Sequence, residues 1–142
     1  MEVLGKFEGV TVADDFAHHP TELTAVLTSA VRMGYRQVWA VFQPHTYSRT
    51  YNLLDDFAKA LSIPHHVVMT EILAVRETNT YNIHTSDLAA KIPGSVWFNS
   101  FEEIADYVMD HAQPGDLILT LGGGDIYKCA NLIVEKYKAR ES

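Results

Sequence analysis

Two hydrophobic patterns alternate along the chain. Val10–Ala13, Gln37–Phe42, Val67–Met69, Val96–Phe98 and Asp116–Thr120 are short, nearly continuous apolar runs. Continuous runs of this length mark strands buried on both faces. Between them the apolar positions recur at helical spacing. Leu23, Val26, Leu27 and Ala30 form one stripe, opened by Pro20 and stopped by Gly34. Leu53, Leu54, Phe57 and Leu61 form another, predicting one helix over Arg49–Leu61 that Pro64 ends. Further helices are expected over Thr85–Ile92, from a Ser100/Glu103 capping box to Ala112, and from Asp125 to Arg140. Val3–Phe7 is a first extended segment, Gly9 a turn, and Ile72–Ile83 an irregular loop.

Strands separated by helices imply βαβ units and a mostly parallel sheet. The fold class is α/β, with helices on both faces. Ligands of such sheets bind beyond the carboxyl ends of the strands. The chemically unusual segments fall there. Asp14-Asp15-Phe16-Ala17-His18-His19 follows the first run, and Gln43-Pro44-His45-Thr46-Tyr47-Ser48-Arg49 the second. Thr70-Glu71, with Arg76-Glu77 beyond, follows the third, and Gly122-Gly123-Gly124-Asp125 the last. Four segments far apart in sequence thus converge on one sheet edge as a candidate cleft.

A length of 142 residues fits one domain, and the net charge of −7 disfavours nucleic acid as a partner. No apolar run is long enough for a membrane span, and the start lacks a secretory pattern. The single cysteine cannot form an internal disulfide and suits a reducing, cytoplasmic setting. Cys129 itself reads as core.

Each candidate residue carries alternatives. Asp14 and Asp15 suit a ribose hydroxyl, a metal or a local cap. His18 and His19 diverge as neighbours and lack the partners of a tetrahedral zinc set, so a hydrogen bond to substrate or packing at the helix entry fits better. Arg49 in a first helical turn opposes the dipole, which an anionic partner explains, as would an internal aspartate. Arg76-Glu77 is a surface pair or part of the cleft. The glycine loop lacks the spacing of a P-loop and is an anion cradle or a tight turn, with Asp125 as a cap. His65, His66, His84 and His111 read as surface or loop residues.

The segments DDFAHHPTEL, AVFQPHTYSRT, DDFAKALS and GDLILTLGGGDIYK resemble the carboxy-terminal domain of the bacterial Mur ligases, in order over nearly the whole chain. HHPTE and QPH-x-YSR are most similar to the alanine-adding member. The resemblance implies a Rossmann-like three-layer domain over residues 1–142. It also implies a UDP-sugar domain and a central ATP-binding domain outside this chain, so that this piece is inactive alone. The implied cytoplasmic enzyme uses ATP and magnesium to join L-alanine to the carboxylate of UDP-N-acetylmuramate through an acyl phosphate. A ligase attaching a peptide to the same sugar in wall recycling, or a stand-alone nucleotide- or anion-binding module, are the alternatives.

By the same resemblance, Asp14 and Asp15 lie on the ATP side, with Asp15 at the ribose. His18 and His19 face the reaction centre. His45, Tyr47 and Arg49 hold the amino acid, and Gly122, Gly123, Gly124, Asp125 and Arg76 line the cleft. Two positions depart from the family pattern: Thr46 stands where arginine is frequent, and Phe16 where tyrosine is common.

Overall fold

A computed structural model describes residues 1–141. The chain runs β1 (Glu2–Phe7), β2 (Val10–Asp15), α1 (Pro20–Val31), β3 (Val38–Phe42), α2 (Tyr47–Asn52), α3 (Leu54–Ala60), β4 (His66–Met69), α4 (Thr85–Ala89), β5 (Val96–Trp97), α5 (Phe101–His111), β6 (Leu117–Leu121) and α6 (Tyr127–Glu141). The sheet order is β1-β2-β6-β3-β4-β5. Only β1 runs antiparallel, pairing with β2 through the turn at Gly9. The other neighbours are parallel, with Ala13 opposite Leu119 and Ala40 opposite Leu119 on either side of β6.

The continuous apolar runs do cover both faces. Ala13, Ala40, Phe42, Met69, Leu119 and Leu121 pack with Leu23 and Leu27 of α1, Phe57 of α3 and Leu88 of α4. Val12, Trp39, Val41, Val68 and Ile118 pack with Ile104 and Val108 of α5 and with Cys129 and Ile133 of α6. Helices after β2, β3 and β4 therefore lie on one face, and the helices flanking β6 on the other. The helices leaving β2 and β3 and the helix leaving β6 diverge to opposite faces. This opens a crevice at the carboxyl ends of β2, β6 and β3.

One helix is broken where the apolar spacing predicts continuity. Leu53 (φ −116°, ψ 24°) separates α2 from α3. No glycine or proline causes the break. It leaves α2 at the sheet edge while α3 turns Phe57 onto Phe42, ring centroids 5.6 Å apart.

The amino edge is closed by side chains. Asp116 is fully buried and accepts from Arg36 Nε at 2.7 Å, Arg36 Nη2 at 3.0 Å, Trp39 Nε1 at 3.0 Å and Gln113 N at 2.9 Å. Burial pushes its carboxyl up, but these donors outweigh it and hold the group below its ordinary value. His66 stacks on Trp39 at 3.8 Å, and His111 stacks on Tyr107 at 4.2 Å. His65 Nδ1 accepts from Val38 N at 2.9 Å. Three of the histidines expected at the surface or in loops thus help close this edge, a tertiary effect invisible to local pattern.

Candidate functional site

All four polar segments do reach the carboxyl edge. β2 delivers Asp14 and Asp15, but strand alternation sends them to opposite faces. Asp14 accepts from Thr120 Oγ1 at 2.6 Å, and its carboxyl is raised mainly by burial. Asp15 faces α1, where Oδ1 accepts from Ala17 N at 2.9 Å and Oδ2 lies 2.8 Å from the Met1 amino group. Beside it runs an apolar groove of about 690 Å³, walled by Phe16, Ala17, Val26 and Met33. Phe16 is 69% exposed beside this carboxylate, its ring perpendicular to that of His18 with centroids 5.6 Å apart.

The two adjacent histidines separate. His18 turns into the crevice, edge-on to His45 at 5.6 Å. Its Nδ1 lies 2.9 Å from Phe16 O. A carbonyl only accepts, so Nδ1 carries the hydrogen, and in the neutral ring Nε2 is the acceptor. His19 instead caps α1, its Nδ1 accepting from Thr21 N at 3.3 Å, and Glu22 completes the capping box. The pair therefore does not face the crevice together. Adjacent side chains point apart, and His19 is used by the helix.

Beyond β3, Gln43 and Asp125 bond reciprocally. Gln43 Nε2 donates to Asp125 Oδ1 at 2.7 Å, and Asp125 N donates to Gln43 Oε1 at 3.2 Å. This ties β3 to the glycine loop. A Cβ on Gly123 would stand 2.9 Å from His18 Nδ1, and one on Gly124 would stand 2.8 Å from Gln43 Oε1 and collide with Leu73. The loop is glycine because protein side chains lie against it, and it forms the floor of the crevice. Asp125 precedes the final helix, which begins at Tyr127, two residues later than its pattern suggests.

Thr46 has φ 68° and ψ 146°, a conformation that β-branched residues rarely adopt. Two contacts hold it there. Its N donates to Leu73 O at 2.8 Å, and its Oγ1 accepts from Arg49 N at 3.2 Å. The bend starts α2, with a half-buried Tyr47 as first residue, and turns Arg49 back towards His45. Arg49 Nη1 lies 3.2 Å from His45 Nδ1. The guanidinium donates, so Nδ1 accepts. His45 is held below its ordinary value by burial first, then by His18 and Arg49, so the ring is neutral. Among the described residues Arg49 forms no ion pair.

Arg76 is exposed on the loop after β4, and no described contact brings it to the crevice. Its neighbour Glu77 turns inward instead, with Oε1 accepting from Ser48 N at 3.0 Å. Leu73 is thus a site residue that sequence reasoning did not single out, while Gln43 was named only within the segment after the second run and Glu77 only with Arg76, as a surface pair or part of the cleft. Only their place after predicted strands pointed to them. Cys129 is fully buried, and burial pushes its thiol up to about 12, as a core cysteine requires. No group of three histidine, cysteine or acidic residues among those described is placed to hold a metal ion. No described helix is long and apolar enough to cross a membrane.

Residues 1–124 match the family model described as Mur ligase, glutamate ligase domain. A UDP-N-acetylmuramate–L-alanine ligase of Lachnospira eligens is 49% identical over 131 residues, covering 89% of this chain and 28% of the relative. One from Caldicellulosiruptor saccharolyticus is 41% identical over 140 residues, covering 96% of this chain and 31% of the relative. The chain therefore spans less than a third of these relatives. The crystal structure of UDP-N-acetylmuramate–alanine ligase from Thermotoga maritima superposes with a TM-score of 0.74 at 22% identity, over 97% of this chain and 29% of that one. With sequence and fold in agreement, the chain belongs to the Mur ligase family and corresponds to its glutamate ligase domain.

Proposed function

We propose that this chain is the amino-acid-binding domain of an ATP-dependent ligase that joins L-alanine to UDP-N-acetylmuramate, with UDP-sugar and ATP-binding domains completing the enzyme. The observation that carries this is Arg49: a half-buried guanidinium, bonded to a neutral histidine and without a carboxylate of its own. A guanidinium grips a carboxylate through two parallel hydrogen bonds, and an amino acid supplies one. His45 holds the arginine in place without cancelling its charge. Tyr47 opens the same helix.

In the reaction the alanine amine attacks an acyl phosphate and forms the amide as phosphate leaves. The ammonium must first lose a proton. His18 Nε2 has the free lone pair to accept it, and the Phe16 carbonyl fixes the tautomer. His19 supports this position through the helix cap. Asp15 and the groove beside Phe16 suit a ribose hydroxyl and an adenine ring, and Asp14 braces β2 through Thr120. The magnesium ion that would neutralise the phosphates is assigned to the ATP-binding domain that the family resemblance implies. Catalysis by this domain is then chiefly positioning.

The test is phosphate release by the full-length enzyme with ATP, magnesium and UDP-N-acetylmuramate. Release should require L-alanine. Release that instead requires a tripeptide would reassign the enzyme to wall recycling. Arg49→Ala should raise KM for alanine by at least about tenfold, the scale of one lost charge-assisted pair, and leave KM for ATP unchanged. Equal effects on both would remove the carboxylate role.

A further inference from the structure

Arg49 has an anion near it inside its own domain, and the fold keeps the two apart. The loop after β4 runs along α2 and is fastened at three places. Leu73 pairs with the backbone at Pro44 and Thr46. Tyr81 stacks on Tyr51 with centroids 5.0 Å apart. Between them, Glu77 reaches Ser48, the residue preceding Arg49. Glu77 Oε1 accepts from Ser48 N at 3.0 Å, and Oε2 accepts from Ser48 Oγ.

Those two bonds from Ser48 are the main cause of the low pKa of Glu77, and the charge of Arg49 adds to it. The carboxylate is fastened to Ser48, the residue directly before Arg49 in α2, so the two charges sit on the same turn of helix. An unengaged carboxylate beside an arginine collapses onto it as a bidentate pair. Here it does not: Arg49 bonds to His45, and both Glu77 oxygens are taken by Ser48.

We infer that Ser48 is a positioning residue that sequesters Glu77, keeping its carboxylate off Arg49 so that the guanidinium stays open to the carboxylate of an incoming amino acid. This rests on the assignment of Arg49 to the substrate carboxylate. It makes Glu77 a latent competitor of the substrate and gives the serine of the YSR segment a role of its own. Alanine at position 48 leaves the backbone donor but frees one oxygen of Glu77, which then turns to Arg49.

The test is the KM for L-alanine in the full-length ligase at saturating ATP and UDP-N-acetylmuramate. Ser48→Ala should raise it about threefold, the scale of a partly exposed ion pair, with kcat within about twofold of the parent. Ser48→Thr keeps the hydroxyl and should keep the parent KM. The decisive variant is Ser48→Ala with Glu77→Gln. Its amide carries no charge to compete, so KM should fall back towards the parent value. A merely structural serine would show no such suppression. An unchanged KM in Ser48→Ala, or a double variant no better than the single one, would overturn the inference. Arg49→Ala measured alongside separates the two claims. If it too leaves KM unmoved, the carboxylate role of Arg49 falls first. If it raises KM while Ser48→Ala does not, only the role of Ser48 is lost.

Discussion

At the amino edge of the sheet, Asp116 accepts from Arg36, Trp39 and Gln113, with His66 stacked on the tryptophan. At the carboxyl edge, Arg49 finds only the ring of a neutral His45, and Glu77 is diverted to Ser48. The same residue types occupy both ends of the same strands. One end completes its charge pairs and seals the fold. The other leaves a cation without its anion, beside glycines that side chains have already covered and a threonine in a strained conformation. Stability is concentrated at the first edge, and unsatisfied binding capacity at the second.

Substitutions should separate the edges. The largest effect is expected at Asp116→Ala, which strands buried donors of Trp39 and Gln113 together with the guanidinium of Arg36. Because Arg36 is itself 42% exposed, the loss should be about 2–4 kcal/mol, measured by urea unfolding. A loss under about 1 kcal/mol would mean that the amino edge is not the lock described. Next comes Gly124→Ala, which forces Gln43 and Leu73 aside and should cost about 1–3 kcal/mol. It should also disturb the amide signals of Gln43 and Asp125, and unchanged signals would show that the floor has room.

Acid comes third and acts on both edges. Burial lowers His45, which faces His18, Arg49 and Glu77, and lowers His66, which faces His65, Asp116, Arg36 and His111. The folded chain therefore refuses protons that the unfolded chain accepts. Stability is full above the ordinary histidine value of about 6.5 and declines as pH falls through it towards the folded values. A melting temperature flat between pH 7.5 and about 5.5 would contradict this. The smallest stability effect is expected at Arg49→Ala, within about 0.5 kcal/mol of the parent, because no internal charge pair is lost. A large loss there would erase the contrast between the edges.

Much of this was legible in the sequence because strands buried on both faces announce themselves. VWAVF and LILTL needed no partner to be recognised, and their topology placed Asp15, His18, His45, Arg49 and the glycine loop at one edge. The break at Leu53 was not legible, since nothing local causes it. The divergence of His18 and His19 was foreseen, but which ring takes the cap depends on where α1 begins. The contact of Glu77 was equally hidden: it lies on an irregular loop without a periodic signal, 29 residues from its partner Ser48 in α2. Contacts of that kind are set by tertiary packing, which hydrophobic pattern does not encode.

The sheet order also governs when this site can exist during synthesis. β6 is the last strand made, yet it lies between β2 and β3. Until it emerges, the β1–β2 hairpin has no hydrogen-bonded partner in the β3–β4–β5 sheet, and each presents an open strand edge of the kind that invites misassociation. Asp15 and His18 belong to the first piece, and His45 and Arg49 to the second. The two halves of the crevice are therefore synthesised before the strand that joins them, and the site cannot be complete until β6 is in place.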